Sequence, residues 1–197
     1  MNAIRAANAA DAGAIAAVHV ISWRETYTGL LPAGVIVNNT EERRRALWER
    51  VLREGTRDVF VAAGGRDEVV GFICGGAMPE IIRGRAPIPD HDAYVDALYV
   101  LAAAHGRGIG RALLSALAER LRERGFRSLA LHVVSANPAV QFYERLGARF
   151  LHAEPIDARV DEGTQAAYGW SDLRNVPTGT SQWTVQPRSG EPQPDCT

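Results

Sequence analysis

Apolar residues recur along the chain with two different periods, and the changes between them divide it into segments. A period of three to four residues is typical of an amphipathic helix. The predicted helices run from Asn8 or Asp11 to about Tyr27 and over 41–54, 109–124 and 138–146. Alternating or continuously apolar runs are typical of strands. The predicted strands are 3–5, 59–63, 69–78, 93–100, 128–134, 148–153 and 164–170.

Capping and turn residues set the limits of these elements. Thr40 can cap the helix that follows it, and Gly55 can end that helix in the left-handed conformation. Pro32 can start a further short helical piece, whereas the prolines within 79–92 predict a loop.

The order of the elements predicts a single α/β domain over residues 1–174. Its strands form a mixed sheet of six to seven strands with helices on both faces. We expect residues 175–197 to be a disordered tail, because this segment holds four of the ten prolines and no apolar periodicity. Trp183 is the residue of the tail that could dock onto the domain.

The charged residues exclude several classes of protein. All 22 basic residues are arginine, so the lysines of the phosphate-binding loop, of protein kinases and of pyridoxal Schiff bases are missing. A net charge of −1 leaves no basic excess for phosphate contacts, and we therefore expect no nucleic-acid partner.

No segment of the sequence indicates a membrane or an oxidising compartment. Every apolar run falls short of the about 18 residues of a spanning helix, and the first residues lack a signal-peptide pattern. The two cysteines, Cys74 and Cys196, form no C-x-x-C pair, and no Cys/His metal spacing occurs. We expect a cytoplasmic protein with no metal and no membrane partner.

Residues 105–111 carry the first candidate chemistry, because alternate glycines stand directly between a predicted strand and a predicted helix. These glycines are Gly106, Gly108 and Gly110. Such a turn exposes backbone amides at the positive end of the helix dipole, where they can bind a phosphate or pyrophosphate. Arg107 and Arg111 could form ion pairs with that anion. The alternative is a tight turn that uses glycine for packing alone.

A dinucleotide-binding fold does not fit this turn. The fingerprint of that fold requires Gly-x-Gly-x-x-Gly after the first strand, but Arg111 or Leu113 stands where the last glycine should be. The next strand also ends without a carboxylate.

Two motifs with a strand between them occur in this region. Leu98-Tyr99-Val100 precedes a turn that matches Gln/Arg-x-x-Gly-x-Gly/Ala, with His105 in the Gln/Arg position. Downstream, Asn137, Tyr143, Gly147 and Ala148 match a second motif, Asn-x-x-(x)-x-x-Tyr-x-x-x-Gly-Phe/Ala. Together they resemble the GNAT superfamily of acyl-CoA-dependent N-acetyltransferases, over most of residues 3–173. The resemblance implies a mostly antiparallel sheet that splays between its fourth and fifth strands.

The resemblance also implies where acetyl-CoA would bind as co-substrate. Its pyrophosphate would lie on the amides of 105–111, and its pantetheine arm between the strands that end at Val100 and Val134. An amide near Val100 would polarise the thioester carbonyl. The implied cofactor-binding residues are Leu98, Tyr99, Val100, His105, Gly106, Arg107, Gly108, Ile109, Gly110, Arg111, Asn137 and Tyr143.

By the same resemblance, Tyr143 is the acid that protonates the departing thiolate, although it could instead be a core aromatic. Asn137 could equally be a helix cap. The family often places a glutamate base where this chain has Tyr94.

The resemblance therefore implies that the base toward the acceptor amine lies on the strand face of Tyr94. Strand alternation places Tyr94, Asp96, Leu98 and Val100 on one face, so Asp96 is the first choice for the base. The other interpretation of Asp96 is a strand carboxylate paired with an arginine. The alternative bases are His91, Asp92 and Glu25.

Trp23, Tyr27 and Tyr94 are candidates to line the acceptor pocket, although helix packing is the other interpretation of Trp23 and Tyr27. Asp92 and neighbouring acidic residues favour a cationic amine, but arginines in the same loop offset this charge.

The leading hypothesis is an N-acetyltransferase that moves the acetyl group of acetyl-CoA directly to a primary amine of a small molecule, or to a peptide N-terminus. The alternative is a non-catalytic acyl-CoA-binding or sensory module, since His105 and Tyr94 depart from the family pattern. A homodimer and a monomer both remain open.

Overall fold

A sheet of eight strands forms the centre of the computed structural model, which describes residues 3–29, 38–65, 68–82, 86–157, 160–178 and 183–186. The strands are β1 Ala3–Ala6, β2 Asp58–Ala63, β3 Val69–Ala77, β4 Ala93–Val100, β5 Leu129–Val134, β6 Arg149–Asp157, β7 Val160–Trp170 and β8 Thr184–Val185. The helices are α1 Ala12–Tyr27, α2 Glu41–Glu54, α3 Ile109–Glu123 and α4 Ala139–Arg145. The helical piece predicted at Pro32 lies outside the described residues.

The strands lie in the order β6-β7-β5-β4-β3-β2-β1-β8. Parallel pairs form between β4 and β5 and between β1 and β8, and the other neighbours are antiparallel. The predicted mixed, mostly antiparallel sheet is therefore confirmed.

Helices cover both faces of the sheet, as predicted. On one face, Leu113, Leu117 and Leu121 of α3 are fully buried against the sheet in the larger core cluster. On the other face, α1 and α2 enclose a second cluster with β2 and β3, in which Trp48 is buried. No helix in the described part of the chain is long and apolar enough to cross a membrane.

The predicted caps explain the limits of α2. The Thr40 hydroxyl oxygen accepts a hydrogen bond from the Arg43 amide at 3.4 Å, and Gly55 ends the helix with φ at +63°. Local sequence therefore determines both ends of this helix.

The hairpin of β6 and β7 is longer than the predicted strands 148–153 and 164–170, because β6 continues to Asp157 and β7 begins at Val160. Pro155 is nevertheless paired with Thr164. β6 lies at the edge of the sheet, where a proline that donates no hydrogen bond is tolerated.

The expectation of a disordered tail is wrong for residues 175–178 and 183–186. β8 pairs with β1, and Trp183 is only 6% exposed within the core cluster that contains α3. Burial of an indole provides enough apolar area to order a segment that has no periodicity of its own.

The predicted alternation of β4 is wrong beyond Asp96. Gly75 of β3 pairs with Val95, whereas the adjacent Cys74 pairs with Ala97, so Asp96 is the extra residue of a β-bulge. The bulge reverses the faces: Tyr99 packs with α1 and α2, and Leu98 packs with α3. Leu98 and Val100 therefore do not share a face with Tyr94.

Candidate active site

A cleft opens between β4 and β5. These strands pair only at Ala93 with Leu129 and at Tyr94 with Ala130, although β4 continues to Val100 and β5 to Val134. The predicted splay is therefore present, and beyond Tyr94 the edge of β4 that faces β5 has no pairing with it. An extended ligand can bind such an edge as an added strand.

The glycine turn lies at the end of β4, where α3 begins. Gly106 and Gly108 have φ of +75° and +74°, which L-amino acids with side chains seldom adopt. Among the described residues, no backbone carbonyl accepts from the amides of residues 106 to 111. These amides and the N-terminus of a 15-residue helix are donors that can bind an anion, as the sequence predicts.

Gly110 has a different role, which is close packing. A Cβ atom at this position would lie 3.0 Å from Cζ of Phe142, so the absence of a side chain lets α3 approach α4. Packing, the alternative interpretation of the glycines, thus applies to Gly110.

Three contacts around this turn were not foreseen from the sequence. Nε2 of His105 lies 2.9 Å from the carbonyl oxygen of Val100. The indole N–H of Trp183 donates to the carbonyl of Arg107 at 3.1 Å, and Nε of Arg111 donates to the carbonyl of Thr178 at 3.0 Å. The C-terminal segment therefore supports the turn from outside.

Asn137 and Tyr143 lie at the start and in the body of α4. Oδ1 of Asn137 accepts from the Ala139 amide at 2.9 Å, as expected of a cap. Tyr143 is 8% exposed. Burial raises the pKa of its phenol well above the usual range, and the nearby Tyr27 and Tyr94 raise this pKa further. The structure thus brings three predicted site tyrosines close to one another.

Asp96 forms a two-point ion pair with Arg57. Nη2 of Arg57 donates to Oδ1 at 3.1 Å, and Nε lies 3.1 Å from Oδ2. One guanidinium therefore engages both oxygens of this carboxylate. Asp96 as the base stays a prediction, and this contact argues against it.

The alternative bases have structural partners elsewhere. Asp92 accepts from the amides of Arg127 and Ser128 and from the Ser128 hydroxyl, each at 2.9 Å. Burial by itself would raise the pKa of Asp92, but the hydrogen bonds outweigh it and hold this pKa below the ordinary value. Glu25 accepts from the Ala102 amide at 3.1 Å, and Nδ1 of His91 lies 2.8 Å from the Pro89 carbonyl.

A cavity of about 460 Å³ lies between α1, α2 and the sheet beside the bulge. Trp23 and Tyr99 are among its aromatic walls, and Arg44, Arg57 and Asp96 are its charged groups. Trp23 packs against Tyr27 with ring centroids 4.4 Å apart, so Tyr27 extends this aromatic wall. A smaller cavity of about 160 Å³ shares Arg57 and Asp96 and reaches Tyr94.

Two further residues of this cavity, His19 and Cys74, were not predicted as site residues from the sequence. His19 stacks on Tyr99 at 4.8 Å, and its Nδ1 accepts from the Trp48 indole at 3.2 Å. Burial, with the Arg44 charge, lowers the pKa of His19 to about 3, so this imidazole is neutral at physiological pH. Burial and then the Asp96 charge raise the pKa of the Cys74 thiol well above its usual range.

A polar cluster on the other wall of the cleft was also missed. The hydroxyl of Tyr94 lies 3.1 Å from Nδ1 of His132 on β5, and Nε2 of His132 lies 3.5 Å from Oε1 of Glu154 on β6. The signal available in the sequence was a single histidine within the apolar strand LALHVV.

Comparison with known proteins identifies the family to which this chain belongs. A model of the acetyltransferase (GNAT) family matches residues 17–148, which include the cleft, the glycine turn and Tyr143. The chain belongs to the GNAT family. This GNAT acetyltransferase is 29% identical over 178 residues to the uncharacterized N-acetyltransferase YuaI of Bacillus subtilis (strain 168), with 90% of this chain and 98% of YuaI covered.

Solved structures share the same fold. The acetyltransferase yncA of Salmonella typhimurium, determined with its cofactor acetyl-CoA, superposes with a TM-score of 0.65 at 20% identity over 100% of this chain and 99% of its own. The PaiA N-acetyltransferase of Thermoplasma acidophilum, in complex with coenzyme A, has a TM-score of 0.63 at 19% identity, covering 86% and 99%. At these identities the likeness shows the fold alone. The GNAT N-acetyltransferase predicted from the two motifs is confirmed by the family model and by the match to YuaI.

Proposed function

We propose that this enzyme transfers the acetyl group of acetyl-CoA directly to the primary amine of a small molecule. The observation that carries the proposal is the cleft, in which β4 and β5 separate beyond Tyr94 and lead to a turn whose amides, among the described residues, no backbone carbonyl accepts from. Acetyl-CoA carries its thioester at one end and its phosphates at the other, and it therefore matches both ends of this cleft.

The amides of residues 106–111 would bind the pyrophosphate, with the guanidinium groups of Arg107 and Arg111 beside it. The arm would extend along Leu98 to Val100, and Asn137 would lie near its other side. The coenzyme A and acetyl-CoA in the PaiA and yncA structures support this placement, since both proteins share the fold.

The acetyl group would react beside Tyr143, within electrostatic reach of Tyr27 and Tyr94. The amine attacks the thioester carbonyl, the C–S bond breaks, and Tyr143 protonates the thiolate. The raised pKa keeps Tyr143 protonated before reaction. A buried thiolate is destabilised by the same desolvation. Burial therefore raises the pKa of the phenol and of the thiol together, and the driving force for proton transfer between them changes little.

Direct transfer agrees with the protonation state of Cys74, the cysteine that lies within the described residues. Its thiol lines the cavity of about 460 Å³, which we take as the acceptor cavity. The raised pKa keeps this thiol protonated, whereas the thiolate is the nucleophilic form. A ternary complex of enzyme, acetyl-CoA and amine is therefore favoured over an acyl-enzyme.

The charges of the cavity indicate an acceptor with an anionic group. Arg44 and Arg57 both line it, and the one carboxylate there, Asp96, is already paired with Arg57. The loop carboxylate of Asp92, which suggested a cationic amine, is instead bound to the start of β5. Arginine binds carboxylates well, so an α-amino acid or a similar anionic amine is the expected class of acceptor.

The test is an acetylation panel with matched acceptors, read by thiol release and product mass. It comprises free amino acids, the corresponding amino acid amides, a polyamine and a short peptide with a free N-terminus. We expect N-acetylated amino acids, with kcat/KM at least about tenfold above that of the amides, corresponding to one charge-assisted hydrogen bond. Tight acetyl-CoA binding without transfer to any amine would instead favour the non-catalytic binding module.

A further inference from the structure

We propose that Tyr94, His132 and Glu154 form a proton relay that acts as the general base toward the acceptor amine. The relay rests on the proposed acetyl transfer and identifies the residues that accept the proton, with Tyr94 at the substrate end.

The relay begins where the cleft begins. Tyr94 and Ala130 are the last pair of β4 and β5, and His132 is the next residue of β5 on the same face as Ala130. His132 therefore lies on the cleft wall just beyond the point of splay. Tyr94 also lines the small cavity that shares Arg57 and Asp96 with the acceptor cavity.

The sheet order brings the three side chains together from three strands. Ala167 of β7 pairs with His132 on one side and with His152 on the other, and its methyl group leaves room for longer side chains to meet above it. Glu154 reaches His132 across this space, at 3.5 Å. Nε2 of Gln165 donates to Oε1 of Glu154 at 2.8 Å and thereby orients the carboxylate.

These contacts define the proton positions. Nε2 of His132 lies at ion-pair distance from Oε1 of Glu154, 3.5 Å away, and when the ring proton is on Nε2, Nδ1 accepts from the Tyr94 hydroxyl at 3.1 Å. The described titratable groups that face His132 are Tyr94 from β4 and both His152 and Glu154 from β6. Glu154 stabilises the imidazolium, whereas a charged His152 would oppose it.

The other candidates in the cavity are poorer bases. Asp96 is held by Arg57, and the pKa of His19, lowered to about 3, is too far below neutrality for efficient proton removal.

The chemical step balances. As the C–N bond forms, the attacking nitrogen becomes cationic and gives its proton to the Tyr94 oxygen, while the Tyr94 proton passes to Nδ1 of His132. The C–S bond then breaks, and the thiolate takes the proton of Tyr143. The imidazolium afterwards releases its proton to solvent and Tyr143 regains one, so the enzyme returns to its starting state.

The test is the pH dependence of kcat/KM with an acceptor found in the panel. Wild type is expected to show an acidic limb, because His132 must be neutral to accept a proton. Changing His132→Gln should abolish this limb and lower kcat about 10²- to 10⁴-fold, the usual range for a general base. Tyr94→Phe should lower kcat within the same range, and acetyl-CoA affinity should be unchanged in both variants.

Glu154→Gln distinguishes a relay from a merely structural cluster. Removing the carboxylate charge destabilises the imidazolium, so the acidic limb and the NMR-titrated pKa of His132 should both move to lower pH. The matched control is His152→Gln, which removes the imidazole 6.0 Å away; it should keep kcat and, unlike Glu154→Gln, should not move the limb to lower pH.

The outcomes separate the two proposals. Suppose that the wild type is active. If the acidic limb and kcat of both His132→Gln and Tyr94→Phe then equal those of the wild type, the relay alone is overturned. If His132→Gln fails to fold, an unshifted limb in Glu154→Gln together with full activity of Tyr94→Phe overturns it equally. A wild type that acetylates no amine would overturn the proposed function, and the relay with it.

Discussion

Replacing Gly106 with alanine tests whether the glycine turn must hold its left-handed conformation to bind acetyl-CoA. Gly106 has φ of +75°, and a Cβ there would meet no heavy atom within 4 Å. The effect of Gly106→Ala is therefore conformational rather than steric. An L-residue in this region is destabilised by roughly 1–2 kcal/mol.

The free variant can relax out of this conformation, but the complex needs it to direct the amides of 106–111 at the anion. The strain then appears as lost affinity, and about 1–2 kcal/mol corresponds to a dissociation constant about 5- to 30-fold higher. The assay is calorimetric titration with acetyl-CoA, with kcat measured at saturating cofactor, where we expect little change.

Gly106→Asn is the matched control, because asparagine enters the left-handed region more readily than alanine. It should lose clearly less affinity than Gly106→Ala. Wild-type affinity in Gly106→Ala would refute a requirement for the left-handed turn, and equal losses in both variants would point to side-chain bulk instead.

Three further predictions concern the cavity and the tail. Cys74→Ala should keep kcat within a few-fold and initial-rate kinetics should show a ternary complex, whereas ping-pong kinetics would restore a covalent carrier. Arg44→Gln should raise KM for amino acids about tenfold and leave KM for the amides unaffected, and equal changes of KM for both would refute carboxylate recognition. Trp183→Ala should lower the unfolding free energy in urea by about 3–5 kcal/mol, while unchanged stability would show that the tail is not docked.

Local sequence was sufficient for much of the fold. The 93–100 strand was predicted with its observed bounds, and the cap at Thr40 and the stop at Gly55 were read from neighbouring residues. The bulge at Asp96 could not be predicted, because one extra residue leaves the composition of an alternating strand unchanged and shows only in its register with β3.

The site was predictable where one segment forms it and not where several do. The turn at 105–111 lies in a single strand-to-helix connection. Trp183, by contrast, reaches the turn through a hydrogen bond to the carbonyl of Arg107, which is far from it in sequence. The contact of Tyr94 with His132 and that of His132 with Glu154 depend on the order β6-β7-β5-β4, which no local pattern specifies.

Turnover of Tyr143→Phe, measured beside its acetyl-CoA affinity, tests direct acetyl transfer in the β4–β5 cleft most directly. Phenylalanine keeps the buried ring and removes only the hydroxyl that is proposed to protonate the thiolate. We expect kcat to fall about 10²- to 10⁴-fold, as for loss of a general acid, with an unchanged dissociation constant for acetyl-CoA. Wild-type turnover in this variant would contradict the account.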